Sequence, residues 1–432
     1  MSPAGHAAVR PMSTSNRRPR TSHSSKTPVL IPPLPLESCQ AKDNDTPAQG
    51  TAFASGCIAC ISTSRADAGI YRPLLRALCG RGHWQVSCLA GGTHLSERFG
   101  HTIDEFKASE GFDLVAVSHF VDGDRPVDAA AACGRATIEF AKTLETVRPK
   151  LVFVLGDRPE MLAAALAAVI CRIPIAHLHG GERTAGAYDD CCRHAITKLA
   201  HVHFAALPQY AARIAAMGEE AWRIHTVGAL ALDDLARFQP ESVEDLRASL
   251  GLDFSQPTWV VAFHPETLSA LTSEAQAAVI RAVLEKTDVN LLVVGTNADV
   301  GHTAVADAFR SLTAQKPNLR WIASMPQQRF WSCLAHARLL IGNSSAGIIE
   351  AASLKLPVVN VGDRQAGRIR PANVIDAPCD SEEMTEAIRV ATSAAFRRSL
   401  INLTNPYGDG RAAARIVAAV QTLPDRQTLL RT

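Results

Sequence analysis

Leu151-Val-Phe-Val-Leu-Gly-Asp-Arg-Pro-Glu160 is an apolar run that ends in a glycine and then in charge. Branched and aromatic residues without polar interruption suit a strand buried on both faces, and such strands belong to parallel sheets covered by helices. The pattern recurs at Ile173-Pro-Ile-Ala-His-Leu178, which runs into His179-Gly-Gly-Glu182 and then Tyr188-Asp-Asp-Cys-Cys-Arg-His194. In doubly wound sheets the strand C-termini face the crevice where ligands bind. Asp157, Arg158 and Glu160 leave one strand toward that crevice, and His179 and Glu182 leave the next. Converging carboxylates suit proton transfer, because burial and mutual repulsion raise a carboxyl pKa toward neutrality. Each residue also has an ordinary reading: Asp157–Arg158 as a local ion pair, Glu182 as a loop carboxylate, Asp189 and Asp190 as a helix start. Gly180-Gly181 would let the backbone approach a ligand closely.

Outward from this block, short apolar runs alternate with helix-length segments from Phe53 onward, the signature of βαβ units. Gly56–Ser62, Gln85–Ala90, Leu114–Val117, Leu151–Leu155, Ile173–Leu178 and Val202–Ala206 read as strands. Tyr71–Cys79, Ala129–Val147 and Cys191–Leu199 read as helices, the first following a Ser64–Gly69 turn. A second series follows, with strands Trp259–Phe263, Val289–Val294, Leu319–Ile322, Leu339–Ile341 and Pro357–Val361. The division expected is a tail over 1–52, a first Rossmann-like domain over 53–226 joined by the C-terminal helix of 410–432, and a second over 227–409. At 432 residues the chain is long enough for two such cores.

Composition excludes other classes. The net charge of +2 supplies no electrostatic reason for nucleic acid or a membrane surface, and no apolar stretch reaches the roughly 18 residues of a membrane span. The 11 cysteines are scattered through apolar runs, which suits a reducing cytoplasm. Cys57 and Cys60 fall on opposite faces of one expected strand, with no second pair at zinc spacing. His201 and His203 point one way along a strand start, but no carboxylate partner is evident for a metal. The first fifty or so residues are rich in Ser, Pro and Arg, and the prolines of Pro28–Pro35 forbid the amphipathic helix of a transit peptide. A disordered tail, or a true start further along, is expected there.

The second informative block is Ile341-Gly-Asn-Ser-Ser-Ala-Gly-Ile-Ile-Glu-Ala351, a strand entering a hydroxyl-rich turn and then a helix. Free backbone N–H groups with Ser344 and Ser345 suit an anion. Glu350, about one turn into the helix, suits ribose hydroxyls. The Lys of a Walker loop is missing, which disfavours a P-loop ATPase. His264 leaves the strand Trp259–Phe263, and Arg364 and Arg368 follow Pro357–Val361. They neutralise phosphate or pair with carboxylates across the cleft.

These motifs together resemble the hydrolysing UDP-N-acetylglucosamine 2-epimerases. The resemblance rests on Ser64-Arg-Ala-Asp67, Gly156-Asp-Arg158 with Glu160, His179-Gly-Gly-Glu182, Asp189-Asp190 with Arg193–Leu199, and Phe263–Thr267. It continues through Thr296-Asn-Ala-Asp299, Gly342–Ser345 with Gly347 and Glu350, and Gly362–Gln365 with Gly367-Arg368. It implies the α/β GT-B fold, two Rossmann-like domains around a ligand cleft. It implies elimination of UDP to a 2-acetamidoglucal, then hydration to N-acetylmannosamine, as in sialic-acid-type biosynthesis.

By the same resemblance Asp157, Glu182 and one of Asp189 and Asp190 move protons. Arg65, His264, Ser344, Ser345 and Arg368 hold the diphosphate, Glu350 anchors the ribose, and Asp67, Arg158, Asn343, Gly347 and Arg364 complete the substrate site. No metal or nicotinamide is implied; a small-molecule nucleotide sugar is the partner and a homodimer or homotetramer the assembly. Ala68 and Pro159 stand where members often carry aromatic residues, close to the expected sugar, which keeps a UDP- or GDP-linked 2,4-diacetamido-6-deoxy sugar in view. The His-x-Glu-Ala-Gly signature of non-hydrolysing 2-epimerases is missing. A glycosyltransferase needs no such carboxylate set, and a silent nucleotide-sugar sensor has no use for it.

Overall fold

A computed structural model describes residues 55–107 and 111–431; the tail expected over 1–52 lies outside them. The apolar runs form two sheets in which every pairing is parallel. The first holds β1 (Gly56–Ser62), β2 (Trp84–Gly91), β3 (Asp113–Val117), β4 (Leu151–Leu155), β5 (Ile175–Leu178), β6 (Val202–Ala205) and β7 (Ile224–Thr226). Their order is β3-β2-β1-β4-β5-β6-β7. The second holds β8 (Thr258–Ala262), β9 (Asn290–Val294), β10 (Leu319–Ile322), β11 (Leu339–Gly342), β12 (Val358–Val361) and β13 (Val374–Ala377), ordered β10-β9-β8-β11-β12-β13. All five residues of β4 are buried, as are all five of β8, which is why these strands read as unbroken apolar runs.

Each sheet is wound outward in both directions from one place, between β1 and β4 in the first and between β8 and β11 in the second. Loops leaving two such neighbours turn to opposite faces and leave a crevice between them. The crevice-facing tips are Ser64–Arg65 and Asp157–Arg158 in one sheet, and His264 and Ser344–Ser345 in the other. The four tips line one cleft, the arrangement of the GT-B fold.

Several local readings shift. The Ser64–Gly69 turn is already helix: Arg65–Cys79 is continuous, because Asp67 Oδ2 reaches back to accept from the Thr63 and Ser64 N–H groups at 2.8 and 3.0 Å. The helix at Ser345 spans only Ser345–Ile349, so Glu350 ends it instead of lying inside it. Strand β5 starts at Ile175, one residue after Pro174, whose carbonyl still accepts from Val152 at 2.9 Å. The helix Pro159–Ile170 goes unread in the sequence because Met-Leu-Ala-Ala-Ala-Leu-Ala-Ala-Val-Ile has no polar face.

The terminal helix Ala412–Gln421 packs on Arg65–Cys79, and Ala412, Ile416, Val417 and Val420 join the core of the first sheet. Asp233 accepts from the Ala412 and Ala413 N–H groups at 2.8 and 2.7 Å. The halves also meet at the cleft rim. There Asp124 accepts from the N–H groups of Gly301, His302 and Thr303 at 2.7, 3.1 and 3.2 Å, capping the helix His302–Thr313 from the other half. Among the described residues no helix is long and apolar enough to cross a membrane.

Candidate active site

The cleft encloses about 1470 Å³ of empty space open to solvent. Of the residues singled out in the sequence, Arg65, Asp67, Asp157, Arg158, Asp189, His264, Ser344, Ser345, Glu350, Arg364 and Arg368 line it. Glu182, Asp190, Asn343 and Gly347 do not.

The first-sheet wall carries the carboxylates. Asp157 leaves β4 and takes a hydrogen bond from the buried guanidinium of Arg193, which also donates to the His179 carbonyl at 3.0 Å. Asp189 opens the helix Asp189–Leu199. Burial, then the charges of Asp157 and Asp299, push its carboxyl up to about 7. A carboxyl poised there gives and takes protons near neutral pH. Its neighbour Asp190 is turned away: it accepts from the Thr184 N–H at 2.7 Å and lies 3.7 Å from His194. Of the two residues the sequence leaves equal, Asp189 lines the cleft and Asp190 does not.

Glu182 is wholly buried; its Oε1 accepts from His179 Nδ1 at 2.7 Å and its Oε2 is ion-paired with Arg368 Nη2 at 2.7 Å. Burial alone would push its carboxyl up, but Arg368, His179 and Arg193 together hold it well below the usual carboxylate range. It is therefore an anion set behind the cleft wall and paired with His179 and Arg368. The carboxylate keeps the His179 proton on Nδ1, leaving a buried Nε2 without a partner on a ring that lines the cleft. His179 itself sits at φ 62°, a left-handed conformation unusual for a residue with a side chain. Gly180 and Gly181 serve packing and not ligand approach: a Cβ at Gly181 would lie 2.3 Å from the Tyr210 carbonyl.

The second-sheet wall carries donors. Burial, then Arg364, pull the His264 imidazole down to about 3, so the ring is neutral. Its Nδ1 accepts from the Asn297 N–H at 3.1 Å, which places the proton on Nε2. Ser344 caps the short helix, accepting from Ala346 N–H at 3.4 Å, beside Ser345. Five residues of helix carry little dipole, so what this turn presents to the cleft is its hydroxyls and backbone N–H groups.

Asn343 is wholly buried and clamps the two strand ends: it accepts from the His264 N–H at 2.8 Å and donates to the His264 carbonyl at 2.9 Å. Gly347 is a packing residue, since a Cβ there would meet Val358 at 3.0 Å. Glu350 accepts from Trp331 Nε1 at 3.0 Å, and burial raises its carboxyl. Arg368 is aimed by Glu182, and the adjacent Ile369 is pinned through its N–H and carbonyl by the hydroxyls of Tyr210 and Tyr407, each at 3.0 Å.

Arg158 belongs to neither its neighbour Asp157 nor the solvent. It lies 3.5 Å from Asp299 Oδ1 and 3.6 Å from Glu160, while Arg364 reaches Asp299 Oδ2 at 3.2 Å. Asp299 thus ties a first-sheet arginine to a second-sheet one. Arg65 likewise crosses the cleft to donate to Ser324, and Asp67 uses its carboxylate on the Thr63–Ser64 turn that aims Arg65. Asp299, Arg193 and His179 have no role assigned from sequence; the only signal is their presence within the motifs quoted above. Ala68 is buried in the core and away from the cleft, whereas Pro159 lines a smaller cavity beside it. His203 does have a carboxylate partner, Glu219 at 3.3 Å, which also sits 3.5 Å from Arg223. That is a structural cluster, and His201 accepts from the Ile175 N–H at 3.1 Å.

Residues 76–421 match the family model described as UDP-N-acetylglucosamine 2-epimerase. The chain is 33% identical over 380 residues to the UDP-N,N'-diacetylbacillosamine 2-epimerase (hydrolyzing) of Legionella pneumophila, covering 86% of this chain and 97% of that one. It is 29% identical over 351 residues to the GDP/UDP-N,N'-diacetylbacillosamine 2-epimerase (hydrolyzing) of Campylobacter jejuni, covering 79% and 89%. In fold it is similar to the UDP-GlcNAc 2-epimerase of Neisseria meningitidis solved with UDP-GlcNAc, at a TM-score of 0.72 and 16% identity over 85% of this chain and 100% of that one. The enzyme of Methanocaldococcus jannaschii solved with UDP-GlcNAc and UDP gives 0.69 and 18% over 84% and 98%.

Proposed function

The chain belongs to the UDP-N-acetylglucosamine 2-epimerase family, and on that premise we propose that it is a hydrolysing nucleotide-sugar 2-epimerase acting on a UDP-linked 2-acetamido sugar. The observation that carries the reading is Asp189, a carboxyl held at about 7 beside Asp157 and across the cleft from the Ser344–Ser345 turn. A proton acceptor and an anion site on opposite walls are what an elimination needs: a base at C2 and a home for the departing diphosphate.

On this reading ionised Asp189 takes the C2 proton as the C1–O bond to UDP breaks, giving the 2-acetamidoglucal. Ser344, Ser345, the Nε2–H of His264 and the Arg368 guanidinium bear the diphosphate charge. Arg65 adds a second cation from the first sheet, and Glu350 accepts from ribose hydroxyls. Water then adds at C1, hydrogen-bonded to the unprotonated His179 Nε2; Asp157 takes the proton the water gives up and delivers it to C2 from the opposite face, while Asp189 returns its proton to solvent. The products are UDP and the free 2-epimer.

The first sugar to test is N-acetylglucosamine, giving N-acetylmannosamine. The names of the Legionella and Campylobacter relatives favour a second, 2,4-diacetamido-2,4,6-trideoxyglucose. Incubation of the purified chain with each UDP-sugar, followed by UDP release and proton NMR of the sugar, tests the reading. UDP with a free 2-epimer supports it. A UDP-linked epimer would make the enzyme non-hydrolysing, and no release from either sugar would remove the reading. Ser345→Ala is expected to weaken UDP binding by about 1.5–3 kcal/mol, the worth of one hydrogen bond to a charged group, with little change in kcat. Calorimetric titration with UDP measures it, and an unchanged affinity would take Ser345 out of the diphosphate site.

A further inference from the structure

The segment Thr184–Tyr188 leaves the first sheet after β5 and leads directly into Asp189, yet the second half of the chain holds it. Ala185 and Gly186 donate from their N–H groups to the carbonyls of Ala366 and Asp363, each at 3.0 Å. The Gly186 carbonyl accepts from the Leu268 N–H at 3.1 Å, and the Tyr188 N–H donates to Thr267 Oγ1 at 3.1 Å. The seat is close: a Cβ at Gly186 would lie 2.5 Å from the Asp363 carbonyl carbon. Gly186 is outside the left-handed region, so contact and not backbone conformation asks for glycine here.

The two receiving loops act as one platform, because Glu266 Oε1 accepts from the Asp363 N–H at 2.8 Å. The platform is joined in turn to the Ser344–Ser345 turn. Arg364 Nη1 and Gln365 Nε2 both donate to the Asn343 carbonyl, at 3.4 and 2.8 Å. On the other side the Thr184 N–H donates to Asp190 at 2.7 Å, fixing the start of the helix whose first residue is Asp189. A series of close contacts therefore runs from the turn proposed to hold the diphosphate to the carboxyl proposed to take the proton. Asp157 has no such route, since Arg193 and Thr184 hold it from its own half.

We infer that docking of Thr184–Tyr188 on the second-half loops is what brings Asp189 to its working place, so that nucleotide binding assembles the base, with Gly186 the positioning residue. The inference rests on the proposed function for the roles of Asp189 and of the Ser344–Ser345 turn. A sugar without its nucleotide then meets an unassembled site. Linkage makes the coupling reciprocal: a nucleotide that favours the docked segment is bound more tightly by it. The groups facing the Asp189 carboxyl are Asp157 and Arg158 from the first half and Asp299 and Arg364 from the second, with Tyr188 and Cys192 beside it. Release of the segment admits water to that cluster and lowers the carboxyl midpoint.

The test uses the full chain and UDP, with no turnover needed. Amide hydrogen exchange over residues 183–188 is expected to slow about tenfold when UDP saturates the wild type. In Gly186→Ala that slowing disappears and the Kd for UDP rises about tenfold, although Gly186 does not line the cleft. By carboxyl ¹³C NMR the Asp189 midpoint falls from about 7 toward the ordinary carboxyl range in the same variant, and the acid limb of kcat/KM follows it. Its kcat falls by about 100-fold, as for a misplaced catalytic group. A merely structural role would lower stability and leave the midpoint and the UDP affinity in place. Thr267→Val removes only the acceptor for Tyr188, moves the same quantities in the same direction by less, and decides the matter if Gly186→Ala fails to fold. Exchange in the wild type that UDP does not alter, or a midpoint and Kd that the substitutions leave unmoved, overturns the inference even where the enzyme turns over. If exchange and midpoint respond as expected while no UDP-sugar is hydrolysed, the coupling stands and the proposed reaction falls.

Discussion

Replacing Asp189 by asparagine is expected to lower kcat by about 10²–10⁴-fold, the usual contribution of a positioned acid or base, while making the protein more stable at pH 8. The two effects share one cause. In the folded chain the carboxyl is pushed up to about 7 by burial and by Asp157, against about 3.9 in an unfolded chain. Between those values the native state keeps a proton that the unfolded chain has released, so stability falls as pH rises from about 4 to 7. Asparagine never ionises and escapes that loss. At full effect the difference is on the order of 4 kcal/mol; in a cleft open to water about 2 kcal/mol is expected, a shift of a few degrees in Tm.

For the wild type, kcat/KM is expected to rise with pH through an apparent pKa near 7, because the ionised form is the base. Carboxyl ¹³C NMR supplies a check that needs no turnover: in Asp157→Asn the Asp189 midpoint moves to lower pH, since a neighbouring negative charge has gone. A midpoint that stays put, or an Asp189→Asn protein that keeps its rate, would remove Asp189 from the chemistry.

Glu182→Gln is expected to do the opposite to stability. The wholly buried Glu182 carboxylate faces His179 and Arg368, and the amide leaves the Arg368 charge unmatched. Breaking a buried pair this way costs about 3–5 kcal/mol. Because the folded carboxyl is held below its ordinary value, that stability is present above about pH 4 and disappears as pH falls through the folded pKa, so the gap between wild type and variant closes in acid. Urea unfolding at pH 7 and at about pH 3, below the unfolded carboxyl pKa, measures it. UDP binding is expected to weaken as well, since Arg368 loses the group that aims it. A variant with native stability and native UDP affinity, defective only in kcat, would return Glu182 to direct proton transfer.

The fold was legible where burial leaves a simple mark. Strands such as β4 and β8, covered on both faces, appear as apolar runs, and the polar residues at their ends point to the cleft. Helices were less legible: Pro159–Ile170 shows no polar face because it is itself largely enclosed, and the start of Arg65–Cys79 hides in a motif that reads as a turn until Asp67 is seen bonding backward. Site residues follow the same division. Side chains aimed directly from a strand tip, such as Asp157, His264 and Ser345, do line the cleft. Roles set by a third residue were not legible. Asp189 and Asp190 are equivalent in sequence and differ only because Thr184 engages one of them. Glu182 looks like an accessible carboxylate until Arg368, far along the chain, closes over it.

The helix Ala412–Gln421 has a consequence for how this protein comes into being. It completes the core of the sheet that ends at Thr226, so that core lacks a wall until synthesis is nearly over. Nearly all of the second half must emerge first, a delay of about 10–40 s at ordinary translation rates. For that interval the nascent chain exposes the apolar face that Ile416, Val417 and Val420 will later cover. Losing the last few dozen residues would therefore harm the half made first.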